Sequence, residues 1–294
     1  MQVTAVQGDV NTDLQADRPR HSKTIYVRRR RPALFKLGED IPRSVYSTIA
    51  AASFLIPLFL WCFFTYTGRA NSLILPTPTA MFASVIEMYK DGTLLPDIGI
   101  SIYRIGMGFA LSAVLAIPIG ILMGAYKIGE AAHEPFVGFV RYVPVPALIP
   151  LVMVVAGIDE PAKILLIFIG TYFQMVLVVA DITRQVPKDL INAARTLGAN
   201  RMQLLFNVLL PATLPGLLET CRTMIGWAWT YLVIAEVVAT SSGLGYAIMK
   251  AQRFSRADEI FAGIVILGLL GLGTDMLFKF AQPKLLPWAE VQRS

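Results

Sequence analysis

Six long apolar stretches run almost without charge through this chain, separated by segments where charged residues, Pro and Gly concentrate. They cover residues 45–66, 98–126, 136–158, 162–180, 214–240 and 260–280. A helix needs about 20 apolar residues to cross roughly 30 Å of hydrocarbon, so each stretch is long enough to span a bilayer. Apolar and polar residues do not alternate within them, which argues against a β-barrel. Lipid offers no partner to open backbone groups, so the spans must be helices. The expected fold class is an all-α integral membrane protein with six transmembrane helices.

Composition strengthens that reading. Of 294 residues, 55% are hydrophobic and only 16% charged, with a mean hydropathy of +0.59. Soluble domains carry roughly 25% charged residues. The net charge of +6 is uneven: residues 1–44 hold nine Lys/Arg against five Asp/Glu. Lys127, four basic residues in 182–213, and Lys284 and Arg293 fall on the same side as that segment. Arg69, Lys90, Lys163, Lys250, Arg253 and Arg256 fall on the other. The positive-inside rule then predicts that both termini are cytoplasmic. Three parts follow: a basic, flexible N-terminal tail (1–44), a six-helix domain (45–288) with a long inside loop (182–213), and a short C-terminal tail (289–294).

The tail reads as a cytoplasmic flank in contact with anionic lipid, not as a nucleic-acid arm. Arg28 to Arg31 resemble a twin-arginine signal. However, the first span ends in Trp61, Phe63, Phe64 and Tyr66 with no small-residue cleavage site, so an uncleaved anchor is expected. Cys62 and Cys221 lie in apolar runs, and His21 and His133 are far apart. No disulfide scaffold, metal cluster or bound cofactor is predicted. Between the first two spans, Leu75-Pro76-Thr77-Pro78 precedes a short amphipathic helix, expected either on the outer membrane surface or packed against the bundle. Thr79 is its expected N-cap, and Met81, Phe82, Val85, Ile86 and Tyr89 recur at helical spacing.

Charges inside spans are costly and therefore mark function by default. Arg104 is expected to snorkel toward one surface. Arg141 sits beside Pro144, Pro146 and Pro150, where the third span must break. Glu219 and Arg222 are expected to pair with each other, as are Asp275 and Lys279. Glu236 has no cation at helical spacing, so a gate or a hydrogen bond to the turn at Gly243–Tyr246 is expected. Trp227 and Trp229 point to different faces, so at most one meets a path. Gly120 and Gly124 form a G-x-x-x-G pair that permits close helix crossing, within the bundle or between copies.

The inside loop carries the most specific signal. It reads Asn192-Ala193-Ala194-Arg195-Thr196-Leu197-Gly198 and continues to Leu210-Pro211. Pro187, Lys188 and Asp189 start a helix, Gly198 turns it, and Arg201 begins a second helix that Pro211 is expected to close. Small residues on an exposed helix allow another protein to approach closely. Ala193-Ala194, Gly198 and Leu210-Pro211 at this spacing resemble the EAA loop of ABC-type importer permeases. Asn192 stands where that family usually has Glu, which keeps a hydrogen-bonding side chain and removes a charge; Val208 replaces the usual Ile.

Leu75-Pro76-Thr77-Pro78, Ser101-x-x-Arg104-x-x-x-Gly108-Phe109, Pro144-x-Pro146-Ala147-Leu148-Ile149-Pro150-Leu151, and Glu236 followed by Gly243-Leu244-Gly245-Tyr246 extend the likeness. Over residues 45–288 the chain resembles the nitrate/sulfonate/taurine/bicarbonate branch of those permeases. The resemblance implies a type I ABC importer permease fold in a bacterial inner membrane, working as a pair, most simply a homodimer. It implies two cytoplasmic ATPase subunits carrying ATP and Mg, since no G-x-x-x-x-G-K-[ST] phosphate loop occurs here, and a periplasmic or lipid-anchored solute-binding protein. The chain itself would be no enzyme. Asn192, Ala193, Ala194, Arg195, Gly198, Leu210 and Pro211 would couple to the ATPase. Arg141, Pro144, Pro146, Trp227, Glu236 and Tyr246 are candidates for the translocation path or its gate. A secondary transporter or channel driven by an ion gradient is the competing class, but such proteins often show a matching broken span in the other half, and none is visible. A membrane-embedded enzyme would need clustered His, Asp or Glu, which the sequence does not supply.

Overall fold

The computed structural model describes residues 41–239 and 241–288, so residues 1–40 of the N-terminal tail, with the Arg28 to Arg31 run, and the C-terminal tail lie outside the described residues. The chain divides into two compact units, one ending at Pro57 and one beginning at Leu58. The described part of the first is helical, and holds the beginning of α1 (Arg43–Tyr66). The second unit holds the end of α1 and everything after it. All regular elements among the described residues are helices.

Among the described residues, five helices are long and apolar enough to cross a membrane: α1, α3 (Leu94–Ala125), α6 (Glu160–Arg184), the helix covering Arg201–Val238, and α11 (Ala257–Leu285). The stretch expected as a single third span is instead two helices. These are α4 (Lys127–Val140) and α5 (Val145–Ala156), bent by 101° across Arg141–Pro144. Pro144 is the cause, because a proline disfavours helical geometry at the residue before it and supplies no N–H to continue the ladder. The count is therefore five spans, or six if the bent pair crosses as one.

α6 is the hub of the second unit. Leu166, Ile167, Thr171, Met175, Val176 and Val179 are buried along it. α3 lies closely against it, because glycines on α3 face it. A Cβ on Gly120 would sit 2.6 Å from Val179 Cβ and 2.7 Å from Val176 O. One on Gly124 would strike Thr183 and lie 2.6 Å from Ala180 O. The G-x-x-x-G pair thus serves a crossing within the chain. Ser112 Oγ also donates to Phe168 O across this interface (3.1 Å). Gly120→Val should push the two helices apart and cost about 1–3 kcal/mol through overpacking. Gly106→Ala on the same helix, with nothing within 4 Å, is the control. Thermal melting of the purified variants checks this; equal midpoints would refute the close-crossing role.

Two local expectations are corrected. The N-cap of α2 (Pro78–Lys90) is Thr77, not Thr79: Ala80 N–H donates to Thr77 Oγ1 (3.2 Å), and Pro78 takes the first helical position, where no N–H is needed. α2 also packs on the bundle through buried Met81, Ser84 and Met88, while Phe82, Ile86 and Tyr89 stay exposed. Ser84 Oγ donates to Asp258 Oδ2 (2.6 Å) and Arg256 Nη2 donates to Glu87 Oε2 (3.1 Å), tying α2 to the start of α11. Asp275 pairs with Arg222 of the preceding span, Nη2 to Oδ2 3.1 Å, and not with Lys279. Arg222 reaches Glu219 as well (3.2 Å).

Candidate functional site

Three constellations bear on function, beginning with the loop. α7 (Lys188–Thr196) has no buried residue. It ends in a hydrogen-bond pattern that only a left-handed residue permits. Gly198 N–H donates to Arg195 O (2.9 Å) and Ala199 N–H to Ala194 O (3.0 Å), with Gly198 at φ +83°. Asn200 then caps the next helix reciprocally: its side chain accepts from Gln203 N–H, and Gln203 Oε1 accepts from Asn200 N–H, both 2.9 Å. Two helices are thus joined by a turn with almost no freedom.

That second helix does not stop at Pro211. α8 (Arg201–Gln203) runs through a π-helical stretch (Leu204–Leu209) into α9 (Leu210–Ala239). The widened turn accommodates the Pro211 ring, which in a regular helix would strike the carbonyl four residues earlier. The loop is therefore joined rigidly to the following span. Ile191 and Ala194 turn inward, whereas Asn192, Ala193, Arg195 and Gly198 are exposed. Leu190 and Leu197 are 49% and 88% exposed and share a face with Ala193. Sequence reasoning passed over these two leucines, although their i, i+3, i+7 spacing with Ala193 was readable.

The second constellation is a cavity of about 450 Å³ at the α4–α5 break. Arg141 and Pro144 meet Gln174 of α6 and Trp227 and Tyr231 of α9 there. Arg141 makes no ion pair among the described residues. Its Nη2 donates to Tyr142 Oη (2.7 Å) and its guanidinium lies 4.7 Å from the Tyr142 ring centroid. Trp227 is 54% exposed on the cavity side, whereas Trp229 is buried and donates to Thr274 Oγ1 (3.2 Å), so the two indoles part as expected. Gln174 was overlooked, and its signal was an uncharged polar side chain amid the apolar run of α6. Pro146 is exposed on α5 outside this lining, and Tyr246 is half-buried on α10 (Leu244–Arg253).

The third constellation is a buried charge network. Arg104 does not snorkel: it is fully buried, and all five of its N–H groups have acceptors. Nε and Nη2 grip Glu160 as a fork, both at 2.7 Å. Nη1 donates to Glu236 Oε1 (2.7 Å) and Ser242 O (2.9 Å), and Nη2 also donates to Ser242 Oγ (3.1 Å). Lys163 Nζ donates to Glu160 Oε1 (2.9 Å), so two cations meet two carboxylates. Glu236, also fully buried, accepts from Ser101 Oγ (2.8 Å) and from Gly245 N–H (2.8 Å). The expected bond to the Gly243–Tyr246 turn is present. Gly243, at φ +104°, has no room for a Cβ, which would collide with the Glu236 carboxylate. Asp97 Oδ1 accepts Gly243 N–H (2.7 Å) and completes the clamp on this turn.

Residues 116–287 match the family described as binding-protein-dependent transport system inner membrane component, and the chain belongs to it. The putative aliphatic sulfonates transport permease protein SsuC of Bacillus subtilis is 38% identical over 78% of this chain and 83% of its own length. The taurine transport system permease protein TauC of Escherichia coli is 30% identical over 85% of this chain and 94% of its own. In fold, the chain is similar to a chain of the MetNI methionine ABC transporter in an inward-facing conformation, at 22% identity and TM-score 0.57, over 67% of this chain and 96% of that one. The chain is a permease of the ABC-transporter class in its nitrate/sulfonate/taurine branch, and not itself an enzyme.

Proposed function

We propose that this chain forms the translocation path of an ATP-driven importer for a small anion of the sulfonate, taurine, nitrate or bicarbonate class. One observation carries the reading: Arg141, a cation without an ion pair among the described residues, faces a cavity of about 450 Å³ lined by Gln174, Trp227 and Tyr231. A guanidinium in an aromatic, water-accessible cleft suits a tetrahedral or planar oxyanion, which it can grip with two N–H groups. The names of SsuC and TauC support the substrate class.

In this reading the bent α4–α5 pair counts as one of six spans, and both termini are cytoplasmic. Two copies close the path between them. An external binding protein delivers the solute, and two ATPase subunits, carrying ATP and Mg, seat the Leu190–Ala193–Leu197 face of each α7. Closure of the ATPase pair moves α7 and, through the continuous helix from Arg201, the α9 wall that carries Trp227 and Tyr231. The path thereby alternates between outward- and inward-facing states.

Uptake of radiolabelled taurine, nitrate, bicarbonate and an alkanesulfonate by cells expressing this chain together with its partner subunits tests it. Arg141→Ala should raise the half-saturation concentration or lower the rate for the transported anion about tenfold or more, the scale of a charge-assisted hydrogen-bond pair. Unchanged uptake with normal membrane levels would remove Arg141 from the path.

A further inference from the structure

A cleft of about 680 Å³ opens where the ends of α3, α6 and α7 converge on the start of α4 and α8. Its rim holds five cations, Lys127, Arg184, Lys188, Arg195 and Arg201, against one carboxylate, Glu130. Lys127 is occupied by Glu130 (2.6 Å), and Arg184 by Glu134 (2.8 Å) and Asp181 (2.9 Å). Lys188, Arg195 and Arg201 make no ion pair among the described residues. Gathering three such cations around one space repels them from one another, so the arrangement favours an anion between them.

We propose that this cleft binds the phosphate-bearing headgroup of an anionic lipid. Its floor is apolar: Ile191, Leu204, Leu205 and Leu209 line it, and Leu209 belongs to the main hydrophobic core. A free phosphate gains nothing from such a floor, whereas a lipid places its headgroup on the rim and its acyl chains against the leucines. The cleft also opens at the ends of long apolar helices, the level at which headgroups lie. An acidic protein surface is the less fitting occupant. At about 100° per residue, Lys188, Ile191 and Arg195 share a narrow arc of α7, roughly opposite the exposed Leu190–Ala193–Leu197 stripe. One face of α7 is thus left for protein docking and the other for lipid. The inference needs the chain to be membrane-embedded but is independent of the transported solute. Lipid in this cleft would hold α7 in its seat on the bundle.

Native mass spectrometry of the full-length chain in mild detergent, with added phosphatidylglycerol or phosphatidylcholine, tests it. Wild type should retain phosphatidylglycerol about tenfold better, and the triple variant K188Q/R195Q/R201Q should lose that preference. Arg253→Gln, a cation at the end of α10, should keep it. If the triple variant elutes as aggregate, Arg201→Gln alone carries the test, with an expected loss of about threefold. Equal retention of both lipids by wild type, or an undiminished preference in the folded variants, would overturn the proposal. So would displacement of the lipid by millimolar inorganic phosphate, which would identify a soluble anion as the ligand. Loss of the lipid when ATPase subunits are added would assign the rim to a protein interface.

Discussion

Replacing Arg104 by Met should cost this permease about 3–5 kcal/mol, enough to remove most folded protein from the membrane. The size of the effect comes from what is left behind. Glu236 is fully buried and would keep its charge with its guanidinium partner gone, while Glu160 would retain only Lys163. The backbone and hydroxyl of Ser242 would lose their donors too, loosening the turn that α3 and α9 clamp together. Arg104→Lys should not rescue it, because an ammonium has three donors on one atom and cannot reproduce the five-donor fork. The informative comparison is R104M with Glu236→Gln: neutralising the buried carboxylate should recover part of the loss, a coupling that independent sites would not show. Fluorescence-detected size exclusion and melting of the four proteins provide the measurement. An Arg104→Met protein as stable as wild type would mean that the network contributes nothing net.

The second large effect should fall on transport and leave stability alone. Gly198→Val should abolish uptake while membrane insertion and melting temperature stay near wild type. A β-branched residue at φ +83° pays roughly 1–2 kcal/mol or more, and that strain is confined to the turn joining α7 to α8. No atom lies within 4 Å of a Cβ there, so the penalty is conformational and not steric. Gly198→Asp should be milder, since Asp tolerates the left-handed region better than Val. A companion variant separates geometry from contact. Leu197→Asp leaves the turn intact but places a charge on a side chain that is 88% exposed, so it should spare the isolated chain and weaken ATPase association about tenfold or more. Uptake, insertion and ATPase co-purification are read side by side. Full uptake in Gly198→Val, or full ATPase retention in Leu197→Asp, would remove α7 from the coupling route.

These two sites differ in how far they were legible in the chain. The loop was legible because its information is local: Gly198 after a short helix specifies a left-handed cap, and Ala193-Ala194 specify a smooth surface within the same two turns. The end of the loop was misread for a reason equally local in appearance, since Pro211 breaks an isolated helix. A π-helical turn absorbs the proline here, and nothing in the residues 204–209 announces it. The charge network was illegible from the start. Arg104 and Glu236 are separated by 132 positions, and each taken alone invites its own explanation, snorkelling for one and a gate for the other.

Amphipathic period and apolar length, properties of consecutive residues, determined by themselves that this protein is helical and membrane-embedded. They also placed the helix bodies and the break at Pro144. Only the tertiary structure decided which charges meet, because lipid-embedded helices bury a charge wherever a partner on another helix can neutralise it, and sequence separation does not enter that energy. It alone decided that Gly120 and Gly124 face α6, that Asp275 takes Arg222 over Lys279, and that Arg141 has no counter-ion among the described residues. Periodicity says which side of a helix is special; the neighbour packed against that side says what it is for.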